Sequence, residues 1–234
     1  MNNQWDQSNV NTYHSRIKDR VPGYDLLHSL SAILLSRHLF KNEGTILVIG
    51  AGGAEELIKM SNALPKATFI AVDSSEEMLK LAMERCKEAN MIERVQFIFG
   101  TVQDLPDGAE YDAAVCLLLH HFIETIEQKQ ALLTAISKHL VPRAPFFIAS
   151  ICGELKSETF KRQLLDWTEF ATHHHVPHSD INGYIESMGK TNHPRLSKVL
   201  KQQLITAEFE EVTTYFKALF VEAMYCRKRA LDEE

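Results

Sequence analysis

The residues with the clearest chemical potential are a glycine turn and a carboxylate. The segment Ile46-Leu47-Val48-Ile49-Gly50-Ala51-Gly52-Gly53-Ala54 runs an apolar stretch into a glycine cluster. Glycine lets a backbone turn sharply and lets a ligand lie against it. Asp73 follows 23 residues after Gly50, at the end of a second apolar run. A carboxylate placed there can accept hydrogen bonds from two ribose hydroxyls, so the pair fits an adenosine-containing ligand. A dinucleotide site would want a third glycine and a helix start ready for pyrophosphate. Here Glu55 and Glu56 open the helix, and two acids make a poor host for phosphates. An adenosine ligand without phosphates is the better fit, and a nicotinamide dinucleotide the weaker one.

Imidazoles come next. His120 and His121 follow a fourth apolar run. Successive strand side chains point to opposite faces, so one of the two should face the cleft. We take His121 as the expected catalytic group, a general base where the acceptor must lose a proton. The run His173-His174-His175 with His178 has the donors for zinc, copper or nickel. Adjacent histidines diverge, however, and Pro177 blocks the helix that would align His174 with His178. No metal is expected. Arg16, Lys18 and Arg20 form a basic cluster near the start, read either as a grip for an anionic acceptor or as a solvated face. Tyr13 and His14 belong to the same segment.

These residues need elements to hold them. Short apolar runs at Thr45–Ile49, Thr68–Val72, Val95–Phe99, Ala113–Leu119 and Phe146–Ile151 alternate with helical patterns. Continuous apolar strands are covered on both faces, and strand–helix alternation predicts a doubly wound α/β architecture. Tyr24–Leu39 and Ile123–Leu140 repeat their leucines and isoleucines at helical spacing, and Ser74 or Ser75 can cap the helix after Asp73. Residues 153–207 read as mostly helical and polar. Glu211–Phe216 and Ala218–Arg227 close the chain as a β pair, expected to add an antiparallel edge to the parallel sheet.

The 234 residues carry a net charge of −6, which gives no global attraction for phosphate backbones and speaks against nucleic acid. No apolar run approaches the ~20 residues that span a bilayer, and the start, MNNQWDQSNV, lacks a signal peptide's apolar stretch. Cys86, Cys116, Cys152 and Cys226 are scattered without a CxxC pair, as in a reducing compartment. A cytoplasmic protein without membrane contact is the expectation, and a homodimer is left open.

Read in order, the segments resemble the motifs of class I S-adenosylmethionine (SAM)-dependent methyltransferases. ILVIGAGGA is similar to their first motif, FIAVDSSEEMLKLA to the second, RVQFIFGTVQDLP to the third-strand segment, YDAAVCLLLHHFI to the fourth and KHLVPRAPFFIAS to the fifth. The resemblance runs from about Arg16 to Arg227. SRIKDRVPGYDLLH and YFKALFVEAMYCRK are similar to a branch containing carboxy-SAM synthases of tRNA wobble-uridine modification and small-molecule methyltransferases related to them.

The resemblance implies a Rossmann-like, mostly parallel seven-stranded sheet with an antiparallel last strand. It implies one domain over residues 1–234, with an N-terminal lid and helix over 1–40 and a helical, substrate-side insert over 153–207. The cofactor implied is SAM. Tyr24 would cover it, Gly50, Ala51 and Gly52 would back its methionine part, Asp73 would bind the ribose and Ser74 would lie beside the adenine. Thr101 and Val102 would flank the adenine, and Leu117 would pass the sulfonium. The activity implied is methyl transfer to a small molecule by direct displacement. The alternatives are a carboxy-SAM synthase-like or tRNA-modification enzyme, and a SAM-fold binding protein without catalysis. The last is prompted by departures from the family pattern at Val48, Ala54, Thr101 and Leu117.

Overall fold

Each apolar run becomes a strand. In the computed structural model, which describes residues 16–39 and 43–230, these are β1 (Thr45–Ile49), β2 (Thr68–Asp73), β3 (Val95–Phe99), β4 (Ala113–Leu117), β5 (Pro145–Ile151), β6 (Phe209–Ala218) and β7 (Val221–Lys228). They form one seven-stranded sheet in the order β3-β2-β1-β4-β5-β7-β6. Pairings among β1 to β5 are parallel, while β7 runs antiparallel to both β5 and β6. The antiparallel strand is therefore the last in sequence but not the edge. β7 slots in beside β5, and β6 takes the outside.

Alternate residues of one strand feed opposite cores, as the pleat requires. From β1, Ile46 and Val48 join Leu27, Leu35, Leu57 and Phe69 on one face. Leu47 and Ile49 join Leu133, Ile136 and Leu204 on the other. The first face is covered by α1 (Tyr24–His38), α2 (Glu55–Ala63), α3 (Glu76–Glu88) and α5 (Glu158–His173). The second is covered by α4 (Ile126–Lys138) and α7 (Ser197–Thr206), while α6 (His178–Ser187) packs on α5. The central strands β1, β4 and β5 are covered on both sides, which is why they carry no polar alternation, whereas the edge strand β6 is largely polar.

Helix starts follow local chemistry. Ser75, not Ser74, caps α3 by accepting the Met78 N–H at 3.3 Å. Thr125 and Gln128 form a reciprocal capping box at α4. Two boundaries differ from the sequence expectation. β4 ends at Leu117 and not Leu119, because Leu118 takes a left-handed φ of 58° and turns the chain out of the sheet. The β6–β7 turn falls at Leu219-Phe220 rather than Lys217, with Leu219 at φ 52°.

The segment before α1 is tied to the helices that follow β5. Trp167 Nε1 donates to the Arg20 carbonyl at 2.7 Å. The Asp180 carboxylate accepts from Arg16 at 2.9 Å and Arg20 at 2.5 Å. Lys18 pairs with Asp25 at 3.1 Å. Each residue of the basic cluster is thus paired with an acid, Arg16 and Lys18 at a part-exposed surface, as in the reading of a solvated face. Tyr13 and His14 lie outside the described residues.

Phe147 on β5 is fully buried and packs its ring against Tyr215 and Tyr225 at 5.7 and 5.6 Å. Phe147→Ala should cost about 3–5 kcal/mol of stability, read from chemical denaturation. A midpoint equal to the parent's would contradict this packing.

Candidate functional site

The parallel strands all deliver their carboxyl ends to one side, and the strand order reverses between β1 and β4. Open α/β sheets bind ligands in the crevice at that point. A cavity of about 660 Å³ lies there, walled by Ile49 and Gly50 after β1, Asp73 and Ser74 after β2, Gly100 to Gln103 after β3, and Leu117 to Leu119 after β4. Gly50 is obligatory in this turn. Its φ is +70°, and a Cβ on it would lie 2.1 Å from Leu119 Cδ1. Ala54, where the family pattern has glycine, also takes a left-handed φ of 61°.

Asp73 is the organising carboxylate. Its Oδ2 accepts the Gly52 N–H and its Oδ1 the Ser75 N–H, both at 2.9 Å. It thus fastens the glycine loop to the start of α3. Burial pushes its pKa up, against the lowering effect of these backbone donors. Thr101 closes the next loop by donating N–H and Oγ1–H to Asp104 at 2.7 and 2.8 Å.

The cavity's other wall comes from α1 and α2. Tyr24 packs on His28 with ring centroids 4.2 Å apart and the planes tilted by 46°. His28 Nδ1 bonds the Tyr24 carbonyl at 2.8 Å, so that nitrogen carries the proton and Nε2 faces Glu56 Oε2 at 3.9 Å. Burial lowers the His28 pKa. Glu56 is pushed up to about 8, first by burial and then by the neighbouring Glu55 and Asp73. Glu55 points elsewhere, bonding Arg85 at 2.9 Å, and Arg85 also donates to the Gly53 carbonyl. Among the described residues, the acidic side chains lining this cavity are Glu56, Asp73 and Glu124, and no lysine or arginine lines it. That wall suits a neutral or cationic ligand and is ill-suited to a pyrophosphate.

A second cavity of about 390 Å³ adjoins the first, with Leu118 and Phe122 lining both. Its remaining wall comes from the N-terminal segment, α6 and the β6–β7 turn. His121 lines it and His120 lines neither cavity. Strand alternation is not what separates them, since both sit in a 3₁₀ turn over His120–Phe122 beyond β4. His121 Nδ1 accepts the Ile151 N–H at 3.3 Å. Burial and the nearby Lys129 push its pKa down to about 3. With Nδ1 engaged by a backbone donor, His121 stands on the second cavity as a buried ring.

Of the residues assigned to a cofactor, Tyr24, Gly50, Asp73, Ser74, Thr101, Val102 and Leu117 line the first cavity. Ala51 and Gly52 do not. Ala51 is fully buried, and Gly52 turns its N–H to Asp73, leaving Gly53 on the wall. Sequence reasoning missed His28 and Glu56 as wall residues. Their spacing from Tyr24 and Gly53 matched ordinary amphipathic helices, and only the packing of α1 on α2 brings them together. The histidines of 173–175 and His178 form no cluster. Among the described residues, no group of three or more His, Cys, Asp or Glu side chains could hold a metal.

The sheet order, the single antiparallel strand β7 and the cavity at the switch point are those of the class I methyltransferase fold. Residues 46–143 match the model of a methyltransferase domain. Among curated proteins, the carboxy-S-adenosyl-L-methionine synthase of Trichodesmium erythraeum is 23% identical over 72% of this chain and 63% of its own length. A ubiquinone biosynthesis O-methyltransferase of Rickettsia bellii is 22% identical over 72% of each chain. Among known structures, human N-acetylserotonin methyltransferase in complex with SAM superposes with a TM-score of 0.64 at 14% identity, covering 97% of this chain and 58% of that one. An O-methyltransferase family protein of Burkholderia thailandensis superposes at 0.69 with 11% identity, covering 97% and 61%. The chain therefore spans less than two thirds of the synthase and of both structures.

Glu56 has a consequence for stability. An unfolded glutamate loses its proton near 4.5, whereas the folded chain holds it to about 8. Between those values the native state binds more protons than the unfolded state, so stability falls as pH rises, by at most about 1.4 kcal/mol per unit. Glu56→Gln removes this, and its thermal midpoint should gain on the parent's progressively from pH 5 to pH 8 in ligand-free protein. Parallel curves would contradict the burial of an uncharged carboxyl.

Proposed function

We propose that the chain is a SAM-dependent methyltransferase acting on a small molecule, with SAM in the first cavity and the acceptor in the second. The observation that carries this is the pairing of a ribose-type carboxylate, Asp73, with a cavity that has acids but no lysine or arginine on its described wall. SAM is an adenosine ligand with a cationic sulfonium and no phosphate, and a dinucleotide would bring two phosphates to that wall. When bound it supplies an electrophilic methyl group.

The residues around it orient and exclude water. Asp73 takes the ribose hydroxyls, the Gly50–Gly53 turn backs the methionine part and Tyr24 covers it. Ser74, Thr101 and Val102 enclose the adenine. Leu117 to Leu119 line the route from one cavity to the other, and their apolar side chains keep water from the displacement, whose rate depends on alignment. The whole chain 1–234 works as one domain, with the N-terminal segment and residues 153–207 forming the acceptor side. Four free, buried cysteines support a cytoplasmic setting. The internal ion pairs of Arg16, Lys18 and Arg20 support a small acceptor over a nucleic acid.

Calorimetry should detect SAM and S-adenosylhomocysteine and no NADH. Asp73→Ala should weaken SAM by about 1.5–3 kcal/mol, roughly ten- to a hundredfold in Kd, with Asp73→Asn weakened less. An unchanged dissociation constant would remove Asp73 from the site, and NADH bound in place of SAM would overturn the assignment.

A further inference from the structure

The acids on the first cavity's wall differ in what holds them. Asp73 is fastened by two backbone N–H groups, and Glu124 is exposed. Glu56 has neither fate. Its side chain is 9% exposed and faces the His28 ring, with Oε2 3.9 Å from Nε2. Both residues line the cavity. The guanidinium of Arg85 is bonded to Glu55 and the Gly53 carbonyl.

His28 Nδ1 holds its proton on the Tyr24 carbonyl, so Nε2 presents a lone pair. Burial keeps this ring neutral, and it keeps the Glu56 carboxyl protonated up to about 8. The pair therefore stores one proton at the cavity wall. The titratable and charged groups around it are Asp25 of α1, Glu55 and Lys59 of α2, Asp73 of β2, Arg85 and Cys86 of α3, and Cys116 of β4. Burial raises the two thiols, to about 11 and about 12, so they stay uncharged. Since Glu55 binds Arg85, the remaining field is acidic and draws a cation. A cation that reaches the carboxyl favours its charged form and so drives off the proton.

The wall residues also set which part of a ligand arrives there. A nucleoside with its ribose on Asp73 and its base toward Ser74 and Thr101 extends its 5′ substituent over Gly50 and Gly53, toward Tyr24, His28 and Glu56. In SAM that substituent ends in an amino acid. Acceptors 3.9 Å apart can share one nitrogen at ordinary hydrogen-bond lengths of about 2.9 Å.

We infer that Glu56 and His28 receive the primary ammonium at the amino-acid end of SAM, the carboxylate and the Nε2 lone pair each accepting one of its N–H groups, and that the cofactor enters in exchange for the proton they hold. The inference rests on the methyl-transfer reading above. The proton leaves Glu56 for solvent, the ammonium keeps its own three, and a neutral pair gives way to an ion pair.

The test uses S-adenosylhomocysteine, which has the ammonium without the sulfonium, and 5′-methylthioadenosine, which lacks the amino-acid end. Calorimetry of the full chain at pH 7, in two buffers of different ionisation enthalpy, counts the protons exchanged. S-adenosylhomocysteine should release about one proton, and 5′-methylthioadenosine none. In Glu56→Gln the homocysteine ligand should release none and bind about tenfold more weakly. 5′-Methylthioadenosine should bind that variant as it binds the parent, which also reports that the variant folds. His28→Phe, which loses the lone pair, should likewise weaken S-adenosylhomocysteine and spare 5′-methylthioadenosine. Raising the pH from 6 to 7.5 should tighten S-adenosylhomocysteine in the parent and leave Glu56→Gln flat. Binding without proton release, equal release by 5′-methylthioadenosine, or a Glu56→Gln variant that releases as the parent does would each overturn the inference. The parent's proton count stands as a test even if Glu56→Gln does not fold. S-adenosylhomocysteine bound without release sinks this inference alone, whereas failure of both it and SAM to bind sinks the methyl-transfer reading as well.

Discussion

The carboxyl ends of β1 and β4 converge until Leu119 occupies the space that any side chain at residue 50 would need. Much else in the molecule depends on that approach. Gly50 itself takes a left-handed φ at the end of β1, and in the turn that follows Gly52 reaches Asp73. The approach also sets the leucines after β4 across the crevice as a shared wall. The Asp73 carboxylate, held by two backbone N–H groups, then serves two ends. It pins the loop, and it keeps an acid on the cavity wall, its pKa raised by burial.

The two cavities share Leu118 and Phe122 but carry different groups on and behind their walls. The first is walled by acids and a neutral imidazole. The second lies among Arg16, Arg20 and Lys129, with one carboxylate shared between the arginines.

Much of this was legible in the sequence, and what was not has physical reasons. The parallel strands were readable because burial on both faces writes them as unbroken apolar runs. Asp73 and Gly50 were readable because their residue types admit few other uses at strand ends. The end of β4 was not, since Leu118 and Leu119 are as apolar as the strand and only the left-handed φ at Leu118 takes them out of it. That two-residue error carried into the histidines, where strand alternation was applied to a 3₁₀ turn. The engagement of the basic N-terminal cluster was hidden for a different reason. Its partner, Asp180, lies about 160 residues away, and no local pattern announces such a pairing. Glu56 was passed over because a helix-start acid is ordinarily solvated, and its burial depends on α1 folding over it.

The N-terminal arm reaches both cavities. Arg20 and Val21 stand on the wall of the second, and Tyr24 and His28, within two turns of the same chain, stand on the wall of the first. Gly23 joins the two pieces with a left-handed φ of 73°, its Cα side pressed against the Phe216 ring. The arm is latched to the helical region by Trp167 and Asp180. One short stretch of chain, fixed at both ends by packing, thus supplies part of the wall of each cavity.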